Sequence, residues 1–152
     1  MSDHYVCFIP AAPEFIPSKE SQAAAVALIQ KTWNLNISEI TLETDKHIVF
    51  RDSGENFESI HCPYCCTKIE IEHWQDLMGQ DYSEEDGFRL SEIPMSCCGK
   101  ISNLNNLYYK WPMGFSRFIL RSSDPGYEVP DHLLIELESA IGSKLRVIHQ
   151  MY

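Results

Sequence analysis

The 152-residue chain carries 22 acidic against 12 basic side chains, and its 44% apolar and 22% charged content is that of an ordinary folded domain. A formal charge of −10, with no Lys/Arg cluster to offset it locally, argues against a protein that grips phosphate backbones, so no nucleic-acid partner is expected. No window approaches the ~18 apolar residues of a membrane span, and MSDHYVCFIP lacks the basic-then-apolar pattern of a secretory leader, so the expected setting is cytoplasmic and reducing, with no membrane partner.

The first segment, VCFIPAAPEFIPSKESQAAAVALIQKTW, reads as a short strand, a proline-punctuated loop and a helix. Ser18 is placed as the helix N-cap, and Val26, Ile29 and Trp33 fall on one face. In SEITLETDKHIVFRD, Ile40 and Leu42 alternate with polar residues, as do Ile48 and Phe50, and the intervening Thr44-Asp45-Lys46 predicts a hairpin connection. Near the other end, RFILRSSDPGYEVPDHLLIELESAIG repeats the first pattern. Pro125 and Tyr127 match Pro13 and Phe15, Val129-Pro130-Asp131 matches Ile16-Pro17-Ser18, and Asp131 stands as the second N-cap. Leu133, Leu137, Ala140 and Ile141 form the second stripe, Gly142 is a C-cap, and Leu145, Val147, His149 and Met151 share a face of a last strand. Together these predict an α+β fold: a ferredoxin-like (split βαβ) antiparallel sheet with two helices, formed by residues 1–56 and 113–152.

Residues 57–112 fall outside that frame and hold five of the six cysteines. Within them TKIEIE alternates like a strand, HWQDLMGQ suits a short helix, and GFRLSEIP leads back to a second cysteine pair. Cys62-x-x-Cys65 and Cys97-Cys98-Gly99 offer soft ligands from two turns, which suits a tetrahedral zinc ion in a zinc-ribbon-like insert too small to fold on a core of its own. Adjacent residues tend to point apart, so Cys62, Cys65 and Cys97 lead the ligand set with Cys98 fourth, and Cys66, His61 or His73 are the alternatives to Cys98. The CPYC motif is also that of a thiol–disulfide oxidoreductase. Such dithiols open a helix, whereas TKIEIE follows here, so structural zinc is the expected cofactor. Nothing beside the cysteines has the spacing of a general acid or base, so no catalytic residue is assigned.

The run CCGKISNLNNLYYKWPMGFSRFILRSSDP resembles a bacterial family marked by an upstream C-P-x-C, a cysteine pair with glycine, and then Trp-Pro-x-Gly-Phe-x-Arg-Phe, here Trp111 to Phe118. The resemblance covers the C-terminal two-thirds of the chain and implies a zinc-binding insert and a bacterial setting; it brings no established activity and no catalytic residues. Cys66 departs from the pattern, where glycine is commoner. Tyr108, Tyr109, Trp111, Phe115 and Arg117 are candidate partner-binding residues, as aromatics beside a basic group make good anchors. The expected function is a small acidic binding protein without enzymatic activity, such as an inhibitor, immunity protein or adaptor that engages a basic protein partner. The other readings are the oxidoreductase and a metal sensor or chaperone.

Overall fold

The structure, a computed structural model, describes residues 3–152 as a mixed α+β arrangement of three helices and a mainly antiparallel sheet. In chain order the elements are β1 (His4–Pro10), α1 (Lys19–Trp33), β2 (Ile40–Arg51), β3 (Ser59–His61) and β4 (Lys68–Ile69). Next come α2 (Ile71–Asp81), β5 (Tyr82–Ser83), β6 (Gly87–Phe88), β7 (Ile93–Pro94) and β8 (Ile101–Ser102). β9 (Tyr108–Lys110), β10 (Gly114–Ser123), α3 (Asp131–Ile141) and β11 (Leu145–Met151) complete the order. Among the described residues no helix is long and apolar enough to cross a membrane.

The two terminal segments fold as their periodicity demands. Ser18 caps α1, its hydroxyl accepting the Ser21 N–H at 3.1 Å, and Ala25, Val26 and Ile29 turn inward. Leu133, Leu137 and Ile141 form the buried stripe of α3, which ends at Gly142 in the left-handed region. Its N-cap is Pro130, and Asp131 is instead its first helical residue, one position inside the expected cap. Both helices cover one face of the sheet, where Val6 and Phe8 of β1, Ile40 of β2, and Phe118 and Leu120 of β10 alternate into a shared core. Cys7, Ile9, Ile119 and Ile148 form a smaller buried group on the opposite face.

The main sheet runs β11-β1-β10-β2-β6-β5, and β1 pairs antiparallel with both β10 and β11. The predicted hairpin at Thr44-Asp45-Lys46 does not form; β2 is one continuous strand against β10. Ser116 pairs with Val49 and Phe118 with Thr44, so β2 advances five residues while β10 advances two, and a bulge absorbs the excess. Arg51, 5% exposed, fixes that irregularity. It donates to the Asp45 carboxylate at 2.8 Å, to the carbonyls of Ser116 and Arg117, and to the Ser116 hydroxyl. Alternation on both sides of Asp45 mimics two strands joined by a turn; the buried guanidinium makes it one.

The segment after β2 turns along the outer edge of β11. Met151 donates to the Ser53 carbonyl, Glu55 donates to the Met151 carbonyl, and the Asn56 amide reaches the His149 carbonyl at 3.0 Å. Gly54, at φ +62°, has to be glycine there, because a Cβ would collide with the Met151 carbonyl.

Residues 57–112 pack onto the frame through a second core. Ile60, Cys62, Ile69, Trp74, Met95, Leu104, Leu107 and Tyr109 join Ile48, Met113 and Phe115, and β6 extends the main sheet beside β2. The expected strand over TKIEIE is confined to Lys68–Ile69. From Glu70 onward the apolar spacing of Trp74, Leu77 and Met78 is helical, and burying Trp74 draws Ile71 and Glu72 into α2.

Candidate metal centre

Two β-hairpin turns face each other within residues 57–112. The first, His61–Thr67, joins β3 to β4; the second, Met95–Lys100, joins β7 to β8. Their backbones repeat the same hydrogen bonds. Cys62 N–H donates to Thr67 O and Cys66 N–H to Cys62 O; Met95 N–H donates to Lys100 O and Gly99 N–H to Met95 O. Cys66 and Gly99, both with positive φ, occupy the same left-handed position. In this register Cys98 matches Cys65, Met95 matches Cys62, and Cys97 comes from a position that holds Tyr64 in the first turn. The second turn therefore supplies its cysteine pair from neighbouring positions, and Met95, which stands where the first turn has Cys62, is buried in the adjoining core.

This register brings Cys62, Cys65, Cys97 and Cys98 together, with all four sulfurs within 4.8 Å of one another. Cys62 and Cys98 sulfurs are 3.8 Å apart, and those of Cys65 and Cys97 are 3.3 Å apart. A Zn–S bond of ~2.3 Å sets a tetrahedral edge of ~3.8 Å, so this soft, four-sulfur donor set fits a zinc-sized thiophilic ion. Cys62 is fully buried and the other three are exposed.

The surroundings favour the thiolate form at Cys62 and Cys65. Burial pushes the Cys62 thiol up, but backbone N–H groups of Cys65 and Tyr64 aimed at its sulfur bring it below the ordinary thiol range. The hydroxyl and N–H of Thr67 pull Cys65 down to about 6, with Cys97 adding to the effect, while the negative Cys65 sulfur pushes Cys97 up to about 12. A bound divalent ion would favour the thiolate form of both sulfurs. Thr67 and Tyr64 had no signal in the spacing of the cysteines. Aligning Cys65-Cys66-Thr67 with Cys98-Gly99-Lys100 exposes their place in the repeated turn.

The alternative ligands lie elsewhere. His61 spends one ring nitrogen on the Ser59 hydroxyl at 2.8 Å and the other on the Cys66 carbonyl at 3.1 Å. His73, exposed on α2, lines a cavity of about 310 Å³ between the two turns and that helix. Cys66 is exposed, outside the sulfur cluster, and at φ 64°. A side chain in that region costs about 1–2 kcal/mol, while glycine costs about 0.5–1 kcal/mol in extra unfolded-state freedom. Cys66→Gly is therefore expected to raise stability by roughly 0.5 kcal/mol with metal content unchanged, read by denaturant unfolding and elemental analysis.

The aromatic candidates divide by burial. Tyr109 is buried, its hydroxyl donating to Leu104 O and accepting from the Trp74 indole, and Phe115 is fully buried against Phe50 and Phe88. Tyr109 ties together elements within residues 57–112, and Phe115 joins that segment to β2. Tyr108 and Trp111 are exposed at 58% and 44%. Arg117 is half-buried, donating to the Asp45 carbonyl and lying 3.8 Å from Glu14.

No protein-family model, curated protein or solved structure matches the chain. The family resemblance therefore rests on the residue pattern alone.

Proposed function

We propose that this chain is a cytoplasmic, non-enzymatic binding protein: a ferredoxin-like frame interrupted by a zinc-ribbon insert, in which structural zinc positions a surface for a basic protein partner. The four converging sulfurs carry this reading. A site saturated by four thiolates has no open position for water or substrate, so its use is to hold two turns together. The strand order of β11, β1, β10 and β2, with α1 and α3 on one face, supports the split-βαβ assignment. The two hairpin turns support the ribbon.

The redox alternative is weaker. In a helix-opening dithiol the first cysteine is the accessible nucleophile; here Cys62 is buried, and β4 follows instead of a helix. The partner surface is placed at Tyr108 and Trp111. Trp111 stands exposed at φ 62°, a costly conformation for a bulky residue and one that concentrates at functional positions. The charge of −10, deepened by two further negative charges on a zinc–tetrathiolate, favours encounter with a basic chain. An inhibitor or immunity protein is the concrete form, and an adaptor the second.

The test is a two-part measurement on protein purified without chelators or affinity metal. Elemental analysis is expected to give about one zinc per chain. Capture from host extract is expected to retain a basic protein at low salt and lose it with Tyr108→Ala/Trp111→Ala. Metal-free protein, or retention that ignores the double variant, sinks the corresponding half of the reading. Thiol alkylation followed by mass supplies a staged count. Cys66 is expected to react at once, the four clustered cysteines only after chelation, and Cys7 only on unfolding. Cys7 is fully buried, and that burial pushes its thiol up to about 11.

A further inference from the structure

A second polar cavity lies on the frame and takes none of its lining from the cysteine-bearing insert. It measures about 510 Å³ and is bounded by Tyr5, Ser38, Thr41, Arg121, Ser123 and Tyr152. We propose that this cavity binds a small phosphate-bearing molecule, with Arg121 as the anchor of the phosphate.

Arg121 is the observation that carries the proposal. In a chain with 22 acidic side chains it makes no ion pair among the described residues. It is nevertheless held in place. Its Nε donates to Gln150 Oε1 at 3.1 Å, and Gln150, only 2% exposed, is itself fixed by donating to the Asp52 carbonyl at 2.9 Å. The Tyr5 ring lies 5.8 Å from the guanidinium carbon. The guanidinium also lies against the Cys7 thiol, but its terminal nitrogens have no carboxylate or carbonyl partner among the described residues, which leaves donors for a ligand oxyanion.

The carboxylates around it are engaged otherwise. Glu39, which also lines the cavity, accepts the Asn36 N–H at 2.9 Å as part of a helical-turn cap. Asp52 accepts the Tyr152 hydroxyl at 2.7 Å and the Gly54 N–H at 3.1 Å.

The lining selects the ligand. Ser38, Thr41 and Ser123 add three hydroxyl donors around one guanidinium, a number that a tetrahedral phosphate can use and a planar carboxylate uses less completely. The cavity exceeds a bare phosphate, and Tyr5 and Tyr152 offer flat apolar walls for an attached organic body. This site stands apart from the proposed protein-binding role, and neither depends on the other.

The test is an NMR titration of the full, metal-loaded, isotope-labelled chain at constant ionic strength, with inorganic phosphate, phenyl phosphate and acetate as separate probes. Phosphate is expected to give saturable shifts at about millimolar concentration, confined to the Arg121 Nε–H and the amides of Ser38, Thr41 and Ser123. Phenyl phosphate should bind several-fold more tightly than phosphate, and acetate at least tenfold more weakly. Arg121→Lys keeps the charge but loses the fork and the Gln150 bond, and is expected to weaken phosphate at least tenfold. Thr41→Val, at an exposed position, leaves the fold intact and should weaken it several-fold. Shifts that rise linearly without saturating, acetate equal to phosphate, or affinity unchanged by Thr41→Val would each overturn the proposal.

Discussion

Replacing Cys62 with serine is expected to abolish metal binding at the four-sulfur cluster and melt the structure around it, within residues 57–112, in one step. Cys62 is both one of the four clustered sulfurs that could hold a metal ion and a fully buried member of the core formed by Ile60, Ile69, Trp74 and Met95. A hydroxyl there is a poor zinc ligand and a polar group in an apolar wall, and metal binding in so small a module is folding free energy. The expected loss is on the order of 4 kcal/mol or more. Hydrogen exchange should show β3, β4, β7 and β8 exchanging freely while β1 and β10 stay protected. Chelation of the wild type, or acidification that protonates the thiolates, should give the same pattern. A Cys62→Ser protein that keeps full zinc and full protection would mean that the four sulfurs do not share an ion.

Phe115→Ala is expected to cost about 3–5 kcal/mol, the range for emptying a buried aromatic site. Phe115 sits on β10, its ring 5.2 Å from Phe50 of β2 and 5.0 Å from Phe88 of β6. Its N–H donates to Asn105 Oδ1, which also receives Arg146, and Arg146 reaches the Met113 carbonyl at 2.8 Å. The side chain thus stands where residues 57–112 meet β2 and β10, and the cavity left behind opens within the second core. Denaturant unfolding should remain a single transition with a lower midpoint and an unchanged slope. Tyr108→Ala, on the exposed neighbour, should move stability by no more than about 0.5 kcal/mol. A loss below about 1 kcal/mol for Phe115→Ala would show that its ring does not tie residues 57–112 to β2.

Local signals were sufficient where a residue acts through its own neighbours. The inward stripes of α1 and α3, the Ser18 cap and the end of α3 at Gly142 follow from spacing and backbone preference. The four sulfurs were legible because metal chemistry restricts residue type and spacing. Features set by distant partners were not. The continuity of β2 depends on Arg51 meeting Ser116 and Arg117 across the sheet, and the start of α2 on a pocket for Trp74. Tyr109 and Phe115 look like neighbouring surface aromatics in the sequence, yet strand alternation and the Asn105 and Leu104 contacts turn both inward. Adjacent Cys97 and Cys98 join one sulfur cluster because the second turn repeats the first with methionine at the position of Cys62.

The run Ser53–Asn56 along β11 has a consequence for how this chain behaves in a crowded solution. An outer strand with unpaired amides is a template on which a second molecule can add a strand, and a third after it. By filling part of that edge with its own backbone, the chain blocks polymer growth from that side, and Gly54 is the residue that lets the backbone come close enough. A side chain at position 54, or a proteolytic nick between Arg51 and Phe57, would uncover the Met151 N–H and carbonyl that this segment now pairs, and leave them open to a strand from another molecule.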